Sequence, residues 1–490
     1  MSRHARVDRQ LDGCRTGLRL NTSSGKIIQK IALGPNIASE RKTLRHFLCQ
    51  PSRNAKAYKG LISSPRINNA GLLPDTHDME KILHNTETKN NPRSGPLSGL
   101  KVLELGQLIA GPFAGKTLAD FGADVVKIEQ PGTGDPLRQW RLLKDGTSVW
   151  WQVQSRNKRS LALDLRSGEG QDIVRKLVAE TDVMIENFRP GAMEGWGLGP
   201  EQLQTINPKL IMLRISGYGQ TGPYKDRPGF GVVAEAMGGM RHLSGEPGRT
   251  PVRVGISLGD TLAALHGVIG ILLALQHRNA TGLGQVIDVA LYEAVFNCME
   301  SLLPEYSAFA AVRGPAGSAL PGIAPSNAYL CKDGSYALIA GNGDSIFKRL
   351  MQLIGRDDLA QDAALANNTG RVARVEELDR VIGEWTAQLS VEDVLTALDA
   401  ASVPAGRIYT VADIANDPHY AARGMLDTVE MHDGTQLSVP GIVPKLSLTP
   451  GSRVRNAPDL GQDSQAVLKE IGLTDTQISQ LIARGIVAGV

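Results

Sequence analysis

The chain has 490 residues, of which 42% are hydrophobic, 21% charged and 4% aromatic, with a formal net charge of +3. The length argues against one simple core and for two or three domains, and the apolar and charged fractions are those of a soluble globular protein. The positive balance is no nucleic-acid footprint: residues 1–95 carry 17 Lys/Arg against 7 Asp/Glu, and the other 395 residues carry 36 against 43.

Residues 1–95 are rich in Arg, Lys, Ser and Asn without sustained periodicity, so they read as disordered, as a targeting segment, or as sequence upstream of a true start at Met79. They show no secretory h-region. The four cysteines, Cys14, Cys49, Cys298 and Cys331, form no C-x-x-C pair or disulfide framework, which fits a reducing compartment. The expected location is cytoplasmic, or an organellar matrix if the N-terminal segment is an address.

Folded structure is expected to begin at "GLKVLELG" (99–106), a strand ending in glycine, followed by the helix "PFAGKTLADFGA" and the strand "DVVKIEQ". The order repeats: "RSLALDL" strand, "GEGQDIVRKLVAET" helix, "DVMIENF" strand, "GPEQLQTINP" helix, "LIMLRISGYG" strand. Such alternation predicts βαβ units and a Rossmann-like parallel sheet, whose strands are buried on both faces. Residues 96–314 form the first part of this large α/β domain. Residues 315–425, entered through the Gly/Pro-rich "GPAGSALPGIAPSNAYL", form a smaller α+β domain, and 426–490 return to the large one.

Several motifs invite chemistry. Gly106, Gly111 and Gly115 follow the first strand, and Glu129 closes the second, but the spacing is G-x4-G-x3-G rather than G-x-G-x-x-G, which disfavours NAD. "GISLG" (255–259) matches the G-x-S-x-G elbow with Ser257 as nucleophile, and Asp417 and His419 would complete a hydrolase triad. The segment before it, "EPGRTPVRV", is a poor strand. Asp260 stands at the mouth of "TLAALHGVIGILLAL", where it suits an N-cap or a carboxylate nucleophile backed by an apolar wall. The uncharged run 261–276 falls short of the roughly 18–20 residues of a membrane span. "ENFRPG" (186–191) and "SGYGQTGP" (216–223) lie just past strand ends, where open α/β sheets bind ligands. No His or Cys spacing suggests a metal.

Taken together, "GLKVLELGQLIAGPFAG", "FGADVVKIEQPGTGD", "NKRSLALDL", "DVMIENFRPGAMEGWGLG", "SGYGQTGP", "VGISLGD", "TGLGQVIDVALYEAV" and "APDLGQDSQAVLKEIGL" resemble the family III CoA-transferases, in family order from residue 97 to 473. The resemblance implies an interlocked homodimer and transfer of CoA between carboxylic acids through an aspartyl-CoA thioester on Asp260, with coenzyme A as co-substrate and no metal. It places CoA contacts at Ile109, Ala110, Leu163, Arg166, Asn187 and Phe188, a phosphate partner at Arg159, and a substrate-shaping residue at Trp140. Arg241 and Arg253, close to Asp260 in sequence, are candidates for a second substrate carboxylate, which suggests succinyl-CoA and dicarboxylic acids. Gln130 and Gly195 replace arginines of formyl-CoA transferase, and "LPGIAPSN" (320–327) stands where that enzyme has a tetraglycine loop. The related 2-methylacyl-CoA racemases need a G-H-D segment, and here Phe230 and Gly231 occupy those places. Racemase and Ser257 hydrolase remain the alternative readings.

Overall fold

A computed structural model describes residues 95–489. The readings given to the N-terminal segment, Met79 included, lie outside the described residues. The chain opens with β1 (Lys101–Glu104), helix α1 (Ala110–Asp120), β2 (Asp124–Glu129) and a short hairpin of β3 (Leu143–Lys144) and β4 (Thr147–Ser148). It continues through β5 (Lys158–Leu163), helix α2 (Gly168–Val178), β6 (Val183–Glu186) and β7 (Ile211–Ser216). Helices α3 (Gly231–Met237) and α4 (Leu258–Thr281) then lead to β8 (Val286–Ala290) and helix α5 (Leu291–Phe296).

Six of these strands form one parallel sheet, ordered β5-β2-β1-β6-β7-β8. Neighbouring residues on a strand go to opposite faces. Val125 therefore joins a cluster with Leu118, Ala263 and Ile271 of α1 and α4, while Val126 joins one with Ile173 and Val174 of α2. Burial on both sides explains the largely apolar texture of "VMIE" and "IMLRIS", whose charged residues Glu186 and Arg214 pair with each other at 2.7 Å. The sixth strand, β8, is the one not anticipated from sequence. It lies at the sheet's edge, half exposed, and alternates Val286, Asp288 and Ala290 with Ile287 and Val289.

Beyond α5 a separate antiparallel sheet forms from β9 (Ser326–Leu330), β10 (Tyr336–Ala340) and β11 (Ala405–Arg407). The helices Asp344–Leu353, Val375–Thr386 and Val391–Ala400 cover it around their own core of Tyr329, Phe347, Leu350, Ile382 and Leu398. A hairpin of β12 (Leu426–Glu430) and β13 (Gln436–Pro440) follows. The segment 441–450 that follows it holds no strand. The tail then packs Val467, Leu468, Ile478 and Leu481 into the α2 side of the large sheet, and β14 (Val487–Ala488) pairs antiparallel with β5.

Helix α4 extends over 24 residues, three residues before and five beyond the run read from sequence, so by length and composition it can cross a membrane. Its small residues Ala263, Ala264, Gly267 and Ala274, with Ile271, pack on the sheet, whereas Leu265, Ile269, Leu272 and Leu273 are exposed. Gly267 and Gly270 are what let it lie so close: a Cβ would sit 2.7 Å from Leu213 and 2.8 Å from Ile287 respectively.

Candidate active site

The strand order runs outward in both directions from the β1–β6 pair, which makes the gap beyond their carboxyl ends the topological switch point of the sheet. The two loops leaving these strands are tied to each other there. Asn187 accepts a hydrogen bond from the Gln107 backbone N–H at 2.7 Å and donates one to the Gln107 carbonyl at 2.9 Å. The next residue, Leu108, holds a left-handed φ of 63°, uncommon for a branched side chain, and its N–H donates to the Asp135 carboxylate at 3.1 Å. The misfit glycine motif has its own purpose here. A Cβ on Gly106 or on Gly111 would come within 3.0 Å of the other's Cα, so the two let the strand end and helix start close over Asn187.

Beneath this loop lies a fully buried charge cluster. Glu104 Oε1 accepts from Lys127 and Lys158, each at 3.0 Å, and Lys127 also pairs with Asp135 at 2.8 Å and donates to the Gly106 carbonyl at 2.7 Å. Burial alone would lower Lys127, but Asp135, Glu104 and Glu129 outweigh it and hold its ammonium above the usual lysine range. Lys158 has less compensation: burial pulls it down to about 8, against the opposing pull of Glu104.

A cavity of about 280 Å³ opens at the switch point. Gln107 to Ala110 and Asn187 to Pro190 form one wall, Phe230 and Gly231 another, and Asp260 reaches in from the start of α4; Lys225 and Arg227 stand on the rim. Helix α4 starts at Leu258 with Ser257 as N-cap, so Asp260 is the third helical residue and not the cap that its position before the apolar run suggested. Its carboxylate is instead free to face the cavity. Burial first, then the nearby negative charge of Glu235, push it up to about 6, with Arg253 pulling the other way. Glu235, on α3, is buried. It accepts the Gly259 N–H at 3.3 Å and lies 3.5 Å from Arg253 Nε.

Of the residues picked out in the sequence, Ile109, Ala110, Asn187, Phe188 and Asp260 meet at this cavity. Arg159 does not. It is the second residue of β5, at the opposite end of the sheet, where Asp124 at 2.7 Å and Glu470 at 2.6 Å already hold its guanidinium, so its reading as phosphate partner is corrected. Leu163 is fully buried in the core, which leaves only its backbone for contacts, and Arg166 is exposed on the loop after β5. Trp140 packs against Trp150 at 6.3 Å and does not line the cavity. Arg253 is engaged by Glu235, and Arg241, on the short helix Met240–Leu243, lies outside the cavity lining with its Nε buried.

Ser257 is preceded by residues 251–256 in irregular conformation, with no strand to form an elbow, and Asp417 serves as cap of the helix Pro418–Ala422. The hydrolase reading loses its geometry. Lys225, Arg227, Gly231 and Glu235 were not identified as site residues from sequence. For the two cations the available signal was their place just past "SGYGQTGP"; for Glu235 it was the i, i+4 spacing from Gly231 on one helix face. Among the described residues no cluster of His, Cys, Asp or Glu has the makings of a metal site.

Comparison with known proteins identifies the family. The sequence model of CoA-transferase family III matches residues 97–464. The succinyl-CoA–D-citramalate CoA-transferase of Chloroflexus aurantiacus is 46% identical over 394 residues, covering 80% of this chain and 98% of that protein. Human succinyl-CoA:glutarate CoA-transferase is 32% identical over 394 residues, 80% of this chain and 90% of the relative. A CAIB/BAIF family protein from Brucella suis, known as a crystal structure, superposes with a TM-score of 0.68 at 38% identity, covering 77% of this chain and all of its own. The Rossmann-like sheet, the switch-point cavity and these relatives lead to one assignment: the chain belongs to CoA-transferase family III and is a CoA-transferase.

Proposed function

We propose that the protein moves CoA from succinyl-CoA to a dicarboxylic acid, with Asp260 as the acyl carrier. The observation that carries this is the half-buried Asp260, whose carboxylate opens into the switch-point cavity at the start of a helix. The names of the relatives, transferring to citramalate and glutarate, supply the substrate class.

The chemistry follows from one carboxylate. An Asp260 oxygen attacks the thioester carbonyl, the C–S bond breaks, and CoA is expelled as thiolate, leaving a mixed anhydride of succinate and Asp260. The thiolate attacks the Asp260 carbonyl carbon, releasing succinate and leaving an aspartyl-CoA thioester. The acceptor carboxylate attacks that carbon and expels thiolate again, and the thiolate then takes the acceptor's acyl carbon and frees Asp260. Every step exchanges one activated acyl bond for another. The chain's task is therefore to hold CoA and exclude water. Ile109, Ala110, Asn187 and Phe188 form the wall along which the thioester arm would lie, and Arg227 on the rim suits the acceptor's far carboxylate, while Lys225 beside it pairs with Asp226 at 2.8 Å.

A homodimer fits the surface. Leu265, Ile269, Leu272 and Leu273 of α4, with Leu303, Tyr306, Phe309 and Val312 after α5, expose large apolar side chains on this one chain. The racemase reading finds no support at residues 230 and 231: Phe230 and Gly231 line the cavity and neither moves a proton.

The test is Asp260→Asn, assayed by conversion of succinyl-CoA and labelled acids (citramalate, malate, glutarate) and by mass spectrometry of trapped protein. Transfer should vanish while the fold strengthens. A carboxylate raised to about 6 opposes folding above that pH, so removing its charge should add on the order of 1–3 kcal/mol at pH 8. Near-normal transfer by the variant, or acyl and CoA adducts on another residue, would overturn the reading.

A further inference from the structure

We propose that Glu235 and Arg253 form an opposed charge pair that positions the Asp260 carboxylate and sets how strongly it attacks; the inference rests on Asp260 being the acyl carrier. Glu235 is only 2% exposed, and burying a carboxylate is costly unless it is fully paired. Its pairing is modest. Oε1 takes the Gly259 N–H at 3.3 Å, and Oε2 lies 3.5 Å from the guanidinium of Arg253, whose side chain is 41% exposed. A glutamine would accept the same N–H without the charge. The charge therefore needs another purpose, and the geometry supplies one.

Gly231 and Glu235 are four residues apart on α3 and share a face. That face meets the start of α4 twice. At Gly231 a Cβ would lie 2.1 Å from Asp260 Oδ2, so the missing side chain makes the space in which the carboxylate sits. At Glu235 the stem runs beside Gly259, whose own Cβ would come within 3.1 Å of Glu235 Cγ. Helix α3 thus gives Asp260 a seat and, one turn on, a negative neighbour. Glu235 also occupies the Gly259 N–H, one of the donors through which the start of α4 would draw on a carboxylate.

Other charged and titratable groups stand on the cavity loops and on the elements packed against α3 and α4. Arg253 comes from the segment before α4, and Lys225, Arg227 and Arg189 come from the loops that line the cavity. On α5, Tyr292 and Glu293 are hydrogen-bonded to each other at 3.2 Å. Further along α4, His266 is bonded to the Leu262 carbonyl and Asn297. On α1, Lys116 lies against Phe113, and Asp120 is held by Arg156. Among them, Glu235 raises the carboxylate and Arg253 lowers it, after burial. A carboxylate titrating near 6 is mostly ionised at neutral pH yet more basic than a free aspartate, which favours attack on a thioester.

The experiment is the pH profile of kcat/KM for succinyl-CoA in the wild type, Glu235→Gln, Arg253→Met and the double variant, with Arg253→Lys as charge-conserving control. The wild-type acid limb is expected at about pH 6. Glu235→Gln should move it down by about one pH unit and lower the plateau severalfold, because the carboxylate becomes a weaker base. Arg253→Met should move it up, the double variant should fall between, and Arg253→Lys should restore the wild-type limb. Limbs that stay in place, or that move the same way in both single variants, overturn the proposal. If Glu235→Gln fails to fold, the opposite shifts of Arg253→Met and Arg253→Lys carry the test alone. Asp260→Asn keeps the two claims separate: transfer by that variant sinks the acyl carrier, whereas a dead Asp260→Asn beside unmoved limbs sinks only the charge pair.

Discussion

Adding one methyl group at Gly231 should separate activity from stability. The Cβ of Gly231→Ala would lie 2.1 Å from Asp260 Oδ2 and 2.9 Å from its Cγ, where van der Waals contact needs about 3.3 Å. The carboxylate is the far end of a short side chain facing a cavity, so it moves aside by about 1 Å rather than forcing the helices apart. A shift of that size from an attack geometry costs about 100-fold in rate, or about 2.7 kcal/mol of transition-state stabilisation. The backbone pulls the other way. Gly231 opens α3 without a positive φ, so alanine fits, and the loss of unfolded-state freedom adds about 0.4–1 kcal/mol to stability. The expected variant melts no lower than wild type, binds succinyl-CoA, and transfers CoA about 100-fold more slowly in a chromatographic assay of CoA esters. Activity within threefold of wild type would refute the placement of Asp260 against this helix. A loss of activity that tracked a loss of fold would refute the claim that the gap serves the carboxylate.

Asn187→Ala removes both hydrogen bonds that join the loops after β1 and β6. At about 1 kcal/mol each, the KM for succinyl-CoA should rise roughly tenfold or more with a smaller change in kcat, and an unchanged KM would remove this loop pair from CoA binding. Glu104→Gln leaves Lys127 and Lys158 short of one buried negative charge and should cost about 3–5 kcal/mol in urea unfolding. Because Lys158 already titrates at about 8, far below its unfolded value, the folded variant binds fewer protons than the unfolded chain, so it should regain stability as pH rises from 6 to 9. Stability independent of pH would count against that account. The double change Ile269→Asp and Leu273→Asp, on the exposed face of α4, should convert the proposed dimer to monomer in analytical ultracentrifugation; a wild type that is itself monomeric would refute the dimer, and a dimer undisturbed by the change would place the interface elsewhere.

The parallel sheet was legible because its inner strands are buried on both faces and so announce themselves as apolar runs. β8 was not, since an edge strand that alternates Val286, Asp288 and Ala290 with its neighbours looks like loop between two helices. Asp260 could be found by motif, but its use could not be read from periodicity. The apolar run starts at Thr261, so the aspartate looks like a cap, and only the extra helical residues Leu258 and Gly259 turn it towards the cavity. Arg159 failed for a matching reason. The resemblance alone made it a phosphate partner, yet its place as the second residue of β5 puts it at the amino end of the strand, away from the cavity, with its guanidinium between Asp124 and Glu470. Glu235 was missed because its significance is a distance across two helices rather than a spacing along one.

A common logic joins Gly231, Glu235 and Asp260. At each position the residue present is the less stable choice locally: a glycine at the first position of a helix, a buried acid with one long ion pair, and a carboxylate raised to about 6. Each has a one-step replacement, Ala, Gln and Asn, that relieves that local cost, and each is expected to slow or abolish transfer. Strain that would be removed if folding were the sole requirement is concentrated within one turn of α3 and one turn of α4. The rest of the sheet, including the buried Glu104, Lys127, Lys158 and Asp135 cluster that holds Leu108 in its left-handed turn, supplies the rigidity that keeps those two turns in register. If the three replacements lowered the melting temperature instead of preserving or raising it, that arrangement would be ordinary packing, and the case for a tuned carboxylate would fail with it.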